Sequence, residues 1–241
     1  MNNLDLLKVY SFDNKIRLGQ SGDGGYIIGD LGEKPYDLYI SAGVGSEESF
    51  TRDFIRRYKT DKSNSYAFDG TIADFPYHFT NDITFIRKNI NSFNDDSNTD
   101  LGFLTEKYNN IFLKMDIEGG EYAWILNTDS SILNKIKQIA IEFHGITETG
   151  HSFHSTYDEK VACLEKLNKT HYLIHAHGNN CCPDVKNGIP MIIELTYVNK
   201  NLFLKEPLLN KIPLPIPNLD CPNNSRPGTD YNLNFYPFVS A

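Results

Sequence analysis

Two rhythms of apolar positions alternate along the chain. Short runs that are apolar throughout or every second residue occur at Tyr36 to Ser41, Ser65 to Asp69, Ile83 to Ile86, Ile111 to Met115, Gln138 to Phe143, His171 to His177 and Ile189 to Val198. Runs of this length and pattern predict strands. Between them lie stripes at helical spacing. Phe50, Phe54, Ile55 and Tyr58 share one face of a predicted helix, with Ser46 as its N-cap and Glu47 and Glu48 in its first turn. Leu101 to Tyr108, Tyr122 to Leu126, the group Ile132, Leu133 and Ile136, and the group Val161, Leu164, Glu165 and Leu167 predict further helices. Leu4, Leu6, Leu7, Val9 and Tyr10 predict a short amphipathic helix at the start. Strands alternating with helices predict an α/β, Rossmann-like sheet of about seven strands flanked by helices. The last two strands, joined by Gly178 to Gly188, read as an antiparallel end pair.

The pattern changes after residue 199. Pro207, Pro213, Pro215, Pro217, Pro222 and Pro227 interrupt an Asn-rich stretch, which excludes a helix or an inner strand. Leu214, Ile216, Leu219 and the segment Tyr231 to Phe238 are too apolar for a free tail, so an extended Pro-rich C-terminal arm lying over the core is expected. No repeat or linker divides the chain. The reading is one domain over 1–241, with a lead-in at 1–35, a core at 36–198 and the arm at 199–241.

Composition narrows the function classes. With 15 Phe, 14 Tyr and 1 Trp, the chain has the means to build a core. The net charge of −8 comes without a basic stripe, which argues against nucleic acid as a partner. Cys163, Cys181, Cys182 and Cys221 show neither a CxxC pair nor zinc spacing, and free thiols fit a reducing compartment. No apolar run is long enough to span a membrane and no leader precedes the first helix, so a cytoplasmic protein without membrane insertion is expected.

The candidate chemistry starts at Ile111 to Leu126. A buried strand ends abruptly in Asp116-Ile117-Glu118-Gly119-Gly120-Glu121, and the carboxyl ends of parallel strands are where α/β sheets bind ligands. Gly119-Gly120 allows a sharp turn, and Glu121 reads equally well as a charge at the start of the next helix. A second strand–turn–helix unit carries Gly43-Val44-Gly45 and then Glu48, where a dinucleotide loop would have its third glycine. An acid there repels a pyrophosphate. It is compatible with a cationic nucleoside cofactor, which favours S-adenosylmethionine (SAM) over NAD. Asp69, roughly 20 residues on at the end of the next strand, is placed to accept both ribose hydroxyls, a role common to both cofactors. His144 follows the fifth strand at the same sheet edge, and His151, His154, Asn179, Asn180 and Asp184 lie in loops expected to rim the pocket. Arg87 and Lys88 are candidates for holding a diphosphate, or a solvated pair.

The run Lys114-Met115-Asp116-Ile117-Glu118-Gly119-Gly120-Glu121 closely resembles the K-h-D-h-E-G-x-E signature (h apolar) of FkbM-type methyltransferases. Arg17 to Tyr26, with Asp23-Gly24-Gly25-Tyr26, resembles the R-x-G-x-x-x-D-G-G-Y segment that borders the cofactor pocket in that family. With Gly43-Val44-Gly45 and Asp69, the likeness spans roughly residues 17 to 198. It implies a Rossmann-like methyltransferase sheet, SAM as methyl donor and a hydroxyl acceptor, most often on a sugar (nucleotide-linked or in a polysaccharide or capsule). The cofactor residues are then Asp23, Gly24, Gly25, Tyr26, Ser41, Gly43, Val44, Gly45, Glu48, Asp69 and Asp116. Ser41 departs from the pattern, since many methyltransferases have an acid there. The catalytic set is Asp116, Glu118 and His144, with His144 as a base titrating near neutrality. The reading uses no metal; a bound divalent cation would take Asp116, Glu142 and His144. Two alternatives stay open. An NAD-dependent sugar epimerase or dehydrogenase needs a Tyr-x-x-x-Lys pair, and Tyr58 to Lys62 is the match present. A non-catalytic nucleotide-binding module would keep the fold alone. The arm is free either to close over the acceptor or to join a homodimer.

Overall fold

The computed structural model describes residues 3–76, 81–183, 185–225 and 230–240. The first residues wind into a 3-10 turn, Asn3–Leu7, rather than the amphipathic helix the leucines suggested. Val9 and Tyr10 lie beyond it in extended chain, where Tyr10 bridges Leu209. Strands β1 (Lys15–Leu18) and β2 (Tyr26–Gly29) form an antiparallel hairpin. There follow β3 (Leu38–Ala42), α1 (Ser49–Tyr58), β4 (Ser65–Phe68), β5 (Thr84–Ile86), and the two-residue pair β6 (Asn89–Ile90) and β7 (Asn98–Thr99). Next are α2 (Gly102–Thr105), β8 (Ile111–Met115), α3 (Glu121–Asn127), α4 (Ser130–Leu133), β9 (Ile136–Phe143) and α5 (Tyr157–Thr170). The series ends with β10 (His171–Gly178), the small hairpin β11 (Val185–Lys186) and β12 (Ile189–Pro190), and β13 (Ile193–Asn199). Ile136 begins a strand instead of closing a helix, and the predicted last strand divides at Met191, its first residues pairing with Val185 and Lys186.

Seven of these strands make one mixed sheet in the order β10-β13-β9-β8-β3-β4-β5. All neighbours are parallel except β13, which runs against both β9 and β10. From β3 the chain first builds outward through β4 and β5, then returns to add β8 and β9 on the other side. The direction of winding therefore reverses between β3 and β8. The crevice at that reversal is the usual ligand position in an open α/β sheet.

Strand alternation sorts the core into two faces. Leu38, Ile40, Leu113, Met115, Ile139 and Ile141 face α3 and α5, together with Trp124, Cys163 and Leu167. Tyr39, Phe112 and Ala140 face the other way, against Phe50, Phe54 and Tyr58 of α1. Tyr39 stacks on Phe54 with ring centroids 4.2 Å apart. Helix α5 begins at a capping box made by Thr156 and Glu159. The hairpin is tied to the sheet by the buried Gln138: its Oε1 accepts from the Gly29 amide (2.6 Å), and its Nε2 donates to the Gly29 carbonyl and the Tyr36 hydroxyl.

His171 sits fully buried where α5 meets β10. Its Nε2 lies 2.8 Å from the Ile136 carbonyl and Nδ1 lies 2.7 Å from the Thr170 hydroxyl. A neutral ring satisfies both, donating from Nε2 and accepting at Nδ1. Burial lowers its pKa to about 4, with the Lys200 charge adding to the effect. Between about pH 6.5 and 4 the unfolded chain therefore binds a proton that the folded chain does not. Stability is full above the ordinary histidine pKa and falls with pH through that window, by roughly 3 kcal/mol in total. Urea midpoints measured from pH 7 to pH 4 for wild type and His171→Gln check this. The wild type is expected to lose that extra amount, and parallel pH profiles would refute it.

Beyond the 3-10 turn Lys200–Leu202, the described residues form no helix and no sheet strand. Leu214, Leu233 and Phe238 are nevertheless buried, and the Leu233 amide donates to the Leu214 carbonyl. Polar side chains from this segment reach the sheet edge. Asp220 pairs with His175 (2.9 Å), Asn223 donates to Glu194 (2.7 Å) and Asp230 pairs with His177 (2.9 Å). Pro227 and Asp184 fall outside the described residues.

Candidate functional site

Register places the two sequence motifs in contact. Ala42 of β3 is level with Met115 of β8, so the residues that follow, Gly43 and Asp116, leave the sheet side by side. Gly43 has φ +79, and a Cβ on it would lie 1.6 Å from the Asp116 carbonyl oxygen. Only glycine fits there. At the second turn Glu118 has φ +57, a left-handed conformation uncommon for a residue with a side chain, and Gly119 has φ +104 and abuts Phe153.

A cleft of about 470 Å³ opens above this junction, a size suited to a small-molecule ligand. Asp23 and Gly24 of the hairpin turn line it, with Gly43, Val44, Gly45 and Glu47 after β3. Asp69 and Thr71 after β4, Lys88, and Lys114, Asp116 and Glu118 on β8 and its turn complete the wall. Among the predicted cofactor residues, Gly25, Tyr26, Ser41 and Glu48 stand behind the wall. Tyr26 is buried and donates from its hydroxyl to Asp116 Oδ2 (3.1 Å).

Glu48 departs most from its expected place. It is buried, accepting from the hydroxyls of Ser41 (3.0 Å) and Thr51, and burial raises its pKa to about 7 against the pull of Lys114. The acid beside the cleft is Glu47. Its carboxylate accepts from both the amide and the hydroxyl of Ser49, each at 2.9 Å. These contacts start α1 at Ser49, two residues later than a Ser46 cap predicted. They also set a carboxylate on the first amide of the helix.

Asp69 is held by the loop it faces. Its Oδ2 accepts from the amides of Val44 (3.1 Å) and Gly45 (2.9 Å), and its Oδ1 from the amide and hydroxyl of Thr71. Burial opposes its charge, but these donors prevail and keep the carboxylate below its ordinary range.

Behind Asp116 lies a second group. Ligand atoms of Asp116, Glu142 and His144 all fall within 4.8 Å of one another. His144 Nε2 is 3.3 Å from Glu142 Oε1 and 3.2 Å from Glu118 Oε2, while Nδ1 is 3.5 Å from Glu121 Oε1. Glu121 is wholly buried and fixed by the Ile117 amide (2.9 Å), so it belongs to this group as well as to the helix start. Burial disfavours the imidazolium, but the adjacent carboxylates of Glu121 and Glu142 outweigh it and raise His144 to about 11. Titration near neutrality, expected from the sequence, is not met. Burial and the Asp116 charge push the Glu142 carboxyl upward.

Antiparallel β13 brings in residues that were not singled out. Glu194 is level with Glu142, accepts from Asn223 and pairs with His177 Nδ1 (3.0 Å). Asn179 donates to Glu142 Oε2 (2.9 Å), and Asn223 reaches Asp23 (3.3 Å). The available signal was Glu194 and Thr196 facing one way in an otherwise apolar strand. His151 lies apart, in a second depression with Ser152 and Met191. Arg87 is exposed, whereas Lys88 borders the cleft. Tyr58, the last residue of α1, is buried and donates to Asp30, so the Tyr-x-x-x-Lys spacing falls outside both groups.

The chain matches no protein-family model and no curated protein. Among the described residues, no helix is long and apolar enough to cross a membrane.

Proposed function

We propose that the protein is a SAM-dependent O-methyltransferase acting on a sugar hydroxyl. The observation that carries the cofactor reading is the pairing of Glu47 with the Ser49 amide and hydroxyl. A pyrophosphate needs that helix N-terminus free and positive, and here a carboxylate already sits on its first amide. A nucleoside bearing a sulfonium and an ammonium meets no such obstacle. The β3–α1 loop, the Asp69 carboxylate beside it and the antiparallel ending of the sheet support the same reading, as does the resemblance to FkbM-type enzymes. In this reading the methionine end lies near Gly43 to Gly45 and the ribose on Asp69, which exchanges an amide partner for the hydroxyls.

Methyl transfer asks mainly for alignment of acceptor oxygen, methyl carbon and sulfur. An acceptor beyond Asp116 meets Glu142 and His144. The hydroxyl proton passes to Glu142, whose raised pKa makes it a better acceptor than an exposed carboxylate. The oxygen lone pair forms the O–CH3 bond, the C–S bond breaks, and S-adenosylhomocysteine leaves as a neutral thioether. His144, as imidazolium, keeps the surrounding carboxylates in place. Five acids, Asp23, Asp116, Glu118, Glu142 and Glu194, converge here, which favours a neutral polyol over the diphosphate of a nucleotide sugar. Lys88 is on the Asp69 side of the cleft.

Calorimetric titration with SAM, S-adenosylhomocysteine and NAD tests the cofactor. SAM and its product are expected to bind, and Asp69→Ala is expected to weaken both at least tenfold, or about 1.4 kcal/mol. Binding of NAD alone would overturn the reading. Transfer of label from SAM to free glycans but not to a phenol, a peptide or RNA checks the acceptor.

A further inference from the structure

We infer that Asp116, Glu142 and His144, with Glu118 at the open side, form a binding site for a divalent cation of the Mn2+ class. The inference deepens the methyltransferase reading by placing a cation at the acceptor end of the same cleft.

The spacing is the first argument. An ion about 2.1 Å from each ligand separates adjacent ligands by ~3 Å and opposite ones by ~4.2 Å. The contacts of His144 Nε2 at 3.2 and 3.3 Å match adjacent positions, and the common 4.8 Å limit is within a small side-chain adjustment of the opposite one. One imidazole with two or three carboxylates is a donor set suited to Mn2+ and its neighbours rather than to thiolate-loving metals.

The independent argument is the shell behind the ligands. Metal-bound histidines present one nitrogen to the ion and direct the other at a carboxylate or carbonyl, which fixes the tautomer. His144 is set that way round. Its Nδ1 lies 3.5 Å from Oε1 of Glu121, a carboxylate with no exposed surface, and neither Nδ1 nor Glu121 Oε2 has a hydrogen-bond partner; its Nε2 faces Glu118 at the cleft and Glu142 behind it. Glu121 is held in turn by the Ile117 amide. Asp116 and Glu142 also each have one oxygen tied by a neutral donor. Tyr26 holds Asp116 Oδ2, and Asn179 holds Glu142 Oε2. The remaining oxygens are left for the centre. An acid cluster formed by chance has no reason to carry an outer partner on each of its buried or half-buried ligands, Asp116, Glu142 and His144.

In the cation-free protein a proton on His144 serves as the counter-charge. A divalent cation replaces that proton at Nε2 and leaves the Nδ1 proton on the Glu121 side. It would also supply what the carboxylates lack at the acceptor, a positive centre for two neighbouring sugar hydroxyls; with it bound, Glu142 would be a ligand rather than the proton acceptor, and the cation would itself lower the pKa of a bound hydroxyl.

The test is Mn2+ alone, without SAM, added to chelator-treated protein, with free Mn2+ followed by electron paramagnetic resonance. One saturable site is expected. Asp116→Asn and Glu142→Gln should each weaken it at least tenfold, and Glu121→Gln, which acts through His144, also about tenfold. Asp69→Asn, across the cleft, should leave it unchanged. Melting curves recorded for each variant confirm that it is folded, and Asp116→Asn at the half-exposed position serves if a buried variant is not. Absence of a saturable site below 1 mM (~10⁻³ M), or a site indifferent to Asp116→Asn and Glu142→Gln, overturns the inference. SAM calorimetry on the same preparation separates the two readings. Protein that binds Mn2+ but not SAM upholds the cation site and removes the methyltransferase; protein that binds SAM but not Mn2+ does the reverse.

Discussion

His144→Ala is expected to destabilise the chelator-treated protein by about 3–5 kcal/mol, the usual consequence of removing one member of a buried charge group. The histidine side chain is 3% exposed and is the positive partner of Glu121, Glu142 and Glu118. Of these only Glu118 turns to solvent, so alanine leaves two buried carboxylates facing a void. Urea unfolding at pH 7.5 measures the effect. A second substitution identifies its cause: adding Glu121→Gln or Glu142→Gln to the alanine variant should restore part of the loss, because the charge left behind is what is costly. A destabilisation under 1 kcal/mol (below the roughly 3 kcal/mol floor for such losses), or no recovery in either double variant, would show that His144 is a packed ring and nothing more. Methyl transfer should fall together with stability in the single variant and should not return in the doubles.

Gly43→Ala comes next in size. A methyl group placed 1.6 Å from the Asp116 carbonyl oxygen cannot be accommodated by a rotamer change, because both contact atoms are backbone. Either β3 and β8 part at their carboxyl ends or the Asp116 turn shifts. Overpacking together with left-handed φ at a non-glycine residue amounts to about 3–4 kcal/mol. SAM affinity should drop at the same time, since Val44 and Gly45 lose their register with Asp69. Gly45→Ala is the control. Gly45 also has positive φ, but a Cβ there meets nothing within 4 Å, so only the conformational part, about 1 kcal/mol, is expected. Equal losses in the two variants would mean that the contact with Asp116 does not matter.

The strands and the stripe of α1 were legible because periodicity records which face of an element is buried, and Tyr39, Phe54 and Phe112 are where that rule puts them. The start of α1 was not. Glu47 and Glu48 look alike in the sequence, and their separate fates depend on Ser49 at the helix start and on Ser41, a neighbour brought in by the strand. The site divides in the same way. Asp116, Glu118 and His144 were readable as polar residues ending apolar strands. Glu194 was not, because periodicity says nothing about strand order. Only the insertion of β13 between β9 and β10 sets Glu194 beside Glu142. The titration of His144 was misjudged for a related reason: Glu121, read as a helix-start charge, turns inward to the ring.

The contacts of Asn223 and Asp230 bear on how the protein is made. A chain synthesised from its N-terminus holds Asp23 and Glu194 without their common bridge until Asn223 has emerged, and His177 lacks one of its two acids until Asp230 follows. The sheet can pair beforehand, since β13 ends at Asn199. The wall of acids therefore reaches its charge balance only after Asn223 and Asp230 have folded back onto β10, β13 and the first hairpin.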